Sequence, residues 1–254
     1  MSLRIAFDLD GVLADMDAEL IRQADRLFGE HRRRRAPDPA PAAPPPHGDA
    51  APSSGGETTA GEAGEDSVAY TLSQSFDAQL TDRQQSRLWR HVQAIEGFWE
   101  SLAECEPGTV ARLGALAADR RWEIIFLTRR PETAGASAQV QSQRWLEAHA
   151  FTLPSVFVVQ GSRGRIASAL SLDFVIDDRP ENCLDVVADS RARAILVWRG
   201  DQGHVPAAVR RLGIGVVASV AECLDVLGQG GRTDKPGVVD RMMRLLGLKQ
   251  PASV

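Results

Sequence analysis

Asp8-Leu9-Asp10-Gly11-Val12-Leu13-Ala14-Asp15 continues an apolar run that begins at residue 3. An apolar run of this length that leads into a glycine-containing turn predicts a buried β-strand followed by a loop. Asp8 and Asp10 would then lie together at the carboxyl end of the strand, the edge at which open α/β sheets bind ligands. Two carboxylates this close repel each other unless a cation neutralises them or one of them holds a proton. The pattern suits a nucleophile beside a general acid, and the alternative is a helix-capping Asp with an unrelated neighbour.

Two later apolar runs also end in polar side chains. One ends at Thr128 and the other at Asp177 and Asp178. A Thr hydroxyl and the next backbone N–H can hold a phosphate oxygen at a strand–helix junction, although a Thr at this place is also a common N-cap. Oxygen ligands from Asp8 and the acid pair would form an octahedral magnesium site, although paired acids can also cap a loop.

Short apolar runs alternate with longer amphipathic stretches, which is typical of strand–helix units in a parallel sheet. We expect strands at residues 3–9, 122–127, 155–159, 173–176, 194–198 and 215–217. We expect helices at residues 16–30, 82–96, 109–119, 138–148, 163–169 and 220–227. The first two predicted helices come after the first strand, and no second strand is predicted between them or directly after them. Residues 15–105 are therefore predicted to leave the sheet and form a helical cap. The expected fold is α/β, a doubly wound, Rossmann-like parallel sheet built from residues 1–14 and 106–228, with the cap inserted after the first strand.

Two segments differ from this pattern in composition. Residues 37–66 contain seven prolines and five glycines but no aromatic or large aliphatic residue. Such a segment cannot bury enough apolar surface to offset its ordering entropy, so a disordered insert is expected at about residues 36–67. Residues 229–254 form a tail in which apolar residues lie between arginines, which predicts a short amphipathic helix. This helix would dock on its own domain or, alternatively, bind a membrane or a partner.

The charge, the apolar runs and the cysteine content argue against several classes of protein. The chain has a net charge of −5, from 29 Lys+Arg and 34 Asp+Glu, which argues against nucleic acid as a partner. No run of about 18 apolar residues is present, so no membrane span is expected. Asp8 and Asp10 interrupt the first apolar stretch before it could form the core of a signal peptide, which predicts a cytoplasmic protein. The three cysteines are too widely spaced for a disulfide framework or a zinc site. The sequence contains just two lysines, Lys235 and Lys249.

The three polar strand ends together resemble the haloacid dehalogenase (HAD) superfamily of phosphohydrolases, in the order DxD, hydroxyl, DD. More narrowly, the chain resembles the 5′(3′)-deoxyribonucleotidase-like family. This resemblance rests on DLDGVLAD at residues 8–15, on EGFWESL at residues 96–102 followed by Pro107-Gly108, and on DDRPEN at residues 177–182. It covers nearly everything except the insert and the tail.

The resemblance implies a magnesium-dependent phosphatase that works through an aspartyl phosphate. Asp8 would be the nucleophile, and Asp10 would protonate the leaving oxygen and later activate water. Thr128 would hold the transferring phosphoryl group. Mg²⁺ would be bound by Asp8, the carbonyl of Asp10, and Asp177 or Asp178.

One position departs from the family pattern. The family has a lysine between the second and third motifs, where this chain offers Arg163 as the first candidate and Arg165 as the second. Arginine keeps the charge but is bulkier than lysine at a tight site. The candidate substrate-binding residues are Arg129, Phe98 and Trp99. The resemblance places the two aromatic rings near the nucleoside, and the alternative is that both pack the cap on the core.

The expected substrate is a (deoxy)ribonucleoside 5′-monophosphate, hydrolysed by a 5′-nucleotidase. Two alternatives stay open, a phosphatase for another small phosphorylated metabolite and a non-catalytic relative that binds a phosphate ligand. The missing lysine motivates the second of these. Retention of both Asp8 and Asp10 argues against it, because a pure binding module has no need of a proton-shuttling acid.

Overall fold

The computed structural model describes residues 2–34 and 80–230 of the chain. The strands are β1 (Arg4–Asp8), β2 (Glu123–Thr128), β3 (Ser155–Val158), β4 (Phe174–Asp177), β5 (Arg193–Val197) and β6 (Gly215–Val217). The helices are α1 (Met16–Arg34), α2 (Asp82–Gln93), α3 (Thr109–Arg120), α4 (Ala138–Ala148), α5 (Arg163–Ala169), α6 (Pro180–Asp189), α7 (Ala207–Arg211) and α8 (Val220–Gly230). Short 3₁₀ turns lie at Phe98–Glu100 and Gln202–His204.

The described strands form one parallel sheet in the order β3-β2-β1-β4-β5-β6. The chain builds outward from β1 on one side through β2 and β3, and on the other side through β4, β5 and β6. The strand order therefore reverses between β1 and β4, and a crevice for a ligand is expected outside the carboxyl ends at that point. The pairing of Phe7 with Ile176 puts Asp8 and Asp177 at neighbouring strand ends.

Alternate side chains of each strand enter two different cores, one on each face of the sheet. Ile5 and Phe7 lie in the larger core, together with α1, α2, α3, α4 and α8. Ala6 and Val175 lie in the smaller core, which contains α6 and α7. Both faces of β1 are thus buried, as is usual for a parallel sheet covered by helices.

Local signals in the sequence account for several helix starts. Thr81 and Gln84 form a reciprocal capping box at the N-terminus of α2. Ser162 accepts the N–H of Arg165 and begins α5. Pro180 occupies the first turn of α6, where its missing N–H costs nothing.

The α/β fold with a doubly wound parallel sheet is confirmed, and the predicted strands and helices agree with the structure to within a few residues. The sequence analysis missed α6 and the short α7. No helix was predicted after the acid pair, although Pro180 in the first turn of α6 is a start signal. The predicted insert at about residues 36–67 and the predicted helix in the 229–254 tail lie outside the described residues. None of the described helices is long and apolar enough to span a membrane.

The segment between β1 and β2 leaves the sheet and returns to it at one place. The N–H of Asp15 donates to the carbonyl of Ala103, and the N–H of Cys105 donates to the carbonyl of Leu13. The outgoing segment at residues 13–15 and the returning segment at residues 103–105 therefore run side by side. The cap boundaries at residues 15 and 105 stay a prediction, and the helices α1 and α2 of this segment share the larger core with β1.

Candidate active site

The first motif forms a tight loop at the end of β1. Asp8 is the last residue of β1 and is 8% exposed. The carbonyl of Leu9 accepts the N–H groups of Leu13 and Ala14 at 2.8 and 2.7 Å. Gly11 has a positive φ of 79°, which favours glycine. The carboxylate of Asp178 lies directly beside it, so a Cβ at Gly11 would collide with that carboxylate.

Arg163 is the arginine that contacts the first acid. Its Nη2 donates to Oδ1 of Asp8 at 2.6 Å, and its Nε lies 3.8 Å from Oδ2 of Asp177. The side chain of Arg163 is 4% exposed, whereas that of Arg165 is 85% exposed and faces Asp189. Of the two candidates for the family lysine, the structure thus brings only Arg163 to Asp8.

Close packing of α5 on α6 fixes the position of Arg163. Gly164 follows it directly, and a Cβ there would collide with the backbone of Asp185. The Asp185 carboxylate accepts the hydroxyl of Ser162 and the N–H of Gly164 at about 3 Å. Arg163 therefore begins a short helix, and its two neighbours, Ser162 and Gly164, are both held against α6.

The acid pair after β4 consists of two differently held carboxylates. Asp177 is 1% exposed, and it accepts the N–H of Arg179 at 2.9 Å and the side-chain amide of Asn182 at 3.0 Å. Asp178 has a buried Oδ1 with no hydrogen-bond partner among the described residues. A buried, unpartnered carboxylate oxygen is costly in a folded protein unless something else neutralises it.

The buried acids carry more negative charge than their surroundings compensate, which favours bound protons or a bound cation. Burial raises the pKa of Asp8 well above its ordinary value, and Asp177 raises it further despite the opposing effect of Arg163. Burial also raises the pKa of Asp177, again against Arg163. Burial and the neighbouring Asp177 raise the pKa of Asp178 to about 8. One guanidinium at Asp8 thus leaves three crowded carboxylates undercompensated.

A hard divalent cation fits this donor set. No three carboxylate, His or Cys side chains among residues 2–34 and 80–230 are grouped closely enough to hold a metal by themselves. The ligand set implied by the resemblance needs only two carboxylates, the carbonyl of Asp10 and waters, which is usual for Mg²⁺. The orphaned Oδ1 of Asp178 beside Gly11 is the observation that favours such a cation.

Asp10 is held by Thr128, the last residue of β2, and by Arg130 just after it. Thr128 donates its hydroxyl to Oδ2 of Asp10 at 3.0 Å. Arg130 donates Nε to Oδ1 and Oδ2 at 3.1 and 3.0 Å, and Nη2 to Oδ1 at 2.8 Å. The sequence analysis named Arg129 and missed Arg130. In extended backbone, residues i and i+2 point to the same side, so the register of Thr128 could have identified Arg130.

The three predicted substrate-binding residues occupy different surroundings. Arg129 is half-buried, and within the described part of the chain no hydrogen bond joins it to Asp8 or Asp10. Phe98 and Trp99 are fully buried and pack edge to face, with ring centroids 4.9 Å apart. Neither ring offers a face to a nucleobase in this structure, which favours the packing alternative. Their role toward a substrate stays a prediction.

More than half of the chain matches a known protein family. A sequence model of the family described as "5′ nucleotidase, deoxy (pyrimidine), cytosolic type C protein" matches residues 59–213, more than half of the chain. The chain belongs to this nucleotidase family. The resemblance predicted from the motifs is thereby confirmed. A comparison with curated protein sequences gave no match.

Solved structures share the fold of this nucleotidase at low sequence identity. A HAD family hydrolase from Deinococcus radiodurans, solved with bound phosphate and sodium, is 16% identical, with 92% of this chain and 99% of that chain covered and a TM-score of 0.53. A protein from Thermotoga maritima described as a β-phosphoglucomutase is 17% identical, with 89% and 98% covered and a TM-score of 0.50. The fold is that of the HAD hydrolases.

Fold and family together show that the protein is an enzyme, a HAD-type phosphatase. The family match contains Thr128, Arg163 and the acid pair, whereas Asp8 and Asp10 precede it. The roles of the individual residues stay predictions, and they rest on the geometry described above.

Proposed function

We propose that the protein is a magnesium-dependent 5′-nucleotidase that hydrolyses (deoxy)ribonucleoside 5′-monophosphates through an aspartyl phosphate on Asp8. The observation that carries this proposal is the meeting of Asp8, Arg163 and the acid pair at the switch point of the sheet. The family match supports a nucleotide as the substrate class. A cytoplasmic location stays a prediction.

Asp8 is assigned to attack phosphorus. Arg163 engages its Oδ1, so Oδ2 is the oxygen that forms the new P–O bond while the bond to the leaving oxygen breaks. Arg163 also places positive charge where the negative phosphoryl group approaches a negative carboxylate. Preorganised charge of this kind usually supplies much of the acceleration in phosphoryl transfer.

Asp10 is assigned to move the proton. It would protonate the leaving oxygen in the first step, and then take a proton from the water that hydrolyses the aspartyl phosphate. Thr128 donates to Asp10 before substrate binds, and its hydroxyl is close enough to the same edge to turn toward a phosphoryl oxygen. Such a turn would remove one of the two donors from Oδ2 of Asp10, and the other donor is Nε of Arg130.

The residues assigned to hold Mg²⁺ are Asp8, Asp10 through its carbonyl, and Asp178 or Asp177. A bound Mg²⁺ neutralises the acids and polarises the phosphoryl oxygens. Asp177 is already held by Arg179 and Asn182, and Asp178 has a free oxygen. We therefore assign the direct contact to Asp178.

The test uses the purified full chain with a panel of phosphomonoesters, in Mg²⁺ and in excess EDTA. The panel contains deoxyribonucleoside and ribonucleoside 5′-monophosphates, sugar phosphates and p-nitrophenyl phosphate. We expect magnesium-dependent release of phosphate, highest on nucleotides, and radiolabelled phosphate on the acid-quenched wild-type protein. Asp8→Asn should abolish both signals, whereas Asp15→Asn should keep them, because Asp15 only caps α1 and Asn caps as well.

A phosphatase for another small phosphorylated metabolite is the second candidate. The complete burial of Phe98 and Trp99 favours it, because neither ring is available for stacking on a base. The same panel separates the two functions. Higher kcat/KM on sugar phosphates than on any nucleotide would favour the second, and an inactive protein would contradict both.

A further inference from the structure

Arg130 is a fully buried arginine whose charge is directed at one catalytic carboxylate. Its side chain is 0% exposed, and Asp10, its partner, is 13% exposed. Nε and Nη2 both reach Asp10, so guanidinium and carboxylate meet along two parallel edges. This fork geometry fixes the plane of the carboxylate as well as its position.

The guanidinium is itself held from two further sides. Its Nη1 donates to the hydroxyl of Ser142 at 2.9 Å, and that hydroxyl donates to the carbonyl of Ala138 one turn earlier in α4. The ring of Trp99 lies 4.8 Å from the guanidinium carbon, a distance typical of a cation–π contact. The Trp99 indole N–H is in turn fixed by the carbonyl of Pro131 at 3.0 Å. Arg130 therefore has one defined orientation.

We propose that Arg130 is a positioning residue that holds Asp10 in the orientation required for proton transfer to the leaving oxygen. The proposal rests on the proposed function of Asp10 as the general acid and base. Thr128 contacts only one oxygen of Asp10, so without Arg130 the carboxylate would be free to rotate about its side-chain bonds. Trp99 then acts on the reaction through Arg130 and needs no contact with the substrate.

This role differs from that of a buried cation that only stabilises the core. A purely structural arginine would affect the hydrolysis of every ester alike. An arginine that orients the proton donor matters most where the leaving oxygen needs a proton. A nucleoside 5′-oxygen leaves as a poor alkoxide unless it is protonated, whereas p-nitrophenolate leaves readily without a proton.

The experiment compares Arg130→Lys and Arg130→Met with wild type on dUMP and on p-nitrophenyl phosphate in saturating Mg²⁺. General acids contribute roughly 10²- to 10⁴-fold, so kcat on dUMP should fall at least about tenfold, with KM nearly unchanged. The kcat on p-nitrophenyl phosphate should fall clearly less. Arg144→Met is the matched control, since Arg144 lies on the surface of α4 and pairs with Glu100 at 3.1 Å. Arg144→Met should leave kcat and KM on both substrates unchanged.

A second arm repeats both Arg130 substitutions in an Asp10→Asn background. If Arg130 acts through Asp10, they should cause little further loss there. Arg130→Lys keeps a buried cation, so it decides the question if thermal unfolding shows that Arg130→Met does not fold. An equal loss on both substrates, an undiminished further loss in Asp10→Asn, or no loss at all would overturn the role of Arg130 in an active wild-type enzyme. A wild-type protein inactive on every ester would instead overturn the proposed function, and the assignment of Arg130 with it.

Discussion

The buried Oδ1 of Asp178 has no hydrogen-bond partner among residues 2–34 and 80–230, and it lies in a crowded group of acids. Burial, and after it the charge of Asp177, moves the pKa of Asp178 from 3.8 to about 8. The pKa values of Asp8 and Asp177 are raised as well. The folded metal-free protein thus binds more protons at these acids than the unfolded chain does.

Metal-free protein should therefore lose stability as pH rises from about 4 towards 8, because stability falls with pH wherever the folded state binds more protons. Asp178→Asn should flatten this fall, since an amide does not ionise. Urea unfolding in EDTA at a series of pH values measures it. Mg²⁺ added near pH 8 should raise the stability of wild type and have little effect on that of Asp178→Asn. A wild-type stability that is flat across this range in EDTA would contradict the electrostatic interpretation.

Arg163→Ala should lower both phosphate affinity and turnover. The charge-assisted hydrogen bond to Asp8 that it removes is worth roughly 1.5–3 kcal/mol, or on the order of 10- to 150-fold in rate. Arg165→Ala is the control and should stay within about twofold of wild type, because Arg165 lies in solvent. Arg163→Lys should retain most of the rate, because it restores the compact charge implied by the family resemblance. Steady-state kinetics and phosphate inhibition measure these effects, and loss of activity in Arg165→Ala alone would reverse the assignment.

At the residue scale, sequence predicts which acids meet but not how each one is held. Asp8, Asp177 and Thr128 could be predicted to share an edge because parallel strands end at the same edge. The choice between Arg163 and Arg165 needs the packing of α5 on α6. Arg130 was missed because residue type does not distinguish a buried arginine from an exposed one, and the signal that could have identified it is its position two residues after Thr128.

Glu106 joins three elements of the fold. Its carboxylate accepts the N–H groups of Val220 and Ala221 at 2.8 and 2.9 Å, where α8 begins, and the Nη2 of Arg199 at 2.8 Å. Arg199 follows β5 and also donates to the carbonyls of Gly11 and Val12 in the loop after β1. Burial alone would raise the pKa of Glu106, but the two backbone N–H groups and Arg199 outweigh it and lower that pKa.

Glu106→Gln should lower the free energy of unfolding by about 1–2 kcal/mol near neutral pH, since an amide is a weaker acceptor at a helix N-terminus and beside a guanidinium. Its folded-state pKa is lowered, so the stabilisation is present above the unfolded pKa and disappears as pH falls through the folded pKa. The difference from wild type should therefore shrink below about pH 4. Urea unfolding measures it, with exposed Glu147→Gln as the control. A difference that persists in acid would contradict the role of the charge.

At the element scale, the two helices that were not predicted are α6, which directly follows the acid pair, and α7, which has only five residues. The α4 boundaries agree residue by residue with the prediction, and the start of α5 at Arg163 does as well. α6 was missed although Pro180, close behind the acid pair, lies in its first turn and is a start signal. The reversal of strand order at β1 follows from pairing across the sheet, which periodicity within one strand does not reveal.

At the scale of the whole molecule, α1 and α2 pack against each other although residues 35–81 separate them in the sequence. The guanidinium of Arg87 lies 5.6 Å from the ring centre of Phe28 across this contact. Deletion of residues 37–66 with a short Gly/Ser linker should change stability little, because the entropy of closing a long flexible loop grows slowly with its length. Circular dichroism and urea unfolding of the deleted chain measure this. Failure to fold would contradict the predicted disorder of the segment.

The central position of β1 has a consequence for synthesis on the ribosome. β1, which carries the proposed nucleophile, is the first of the described strands to be made, yet Arg163 comes 155 positions after Asp8, and β4 comes later still. At roughly 5–20 residues per second, about 8 to 30 s separate the two residues of the same ion pair. During that interval β1 has no partner strand on its β4 side, and its edge is open to chaperones and to other nascent chains. The crevice at the carboxyl ends of β1 and β4 can therefore form only after β4 has been made, although its first acid belongs to the earliest of the described strands.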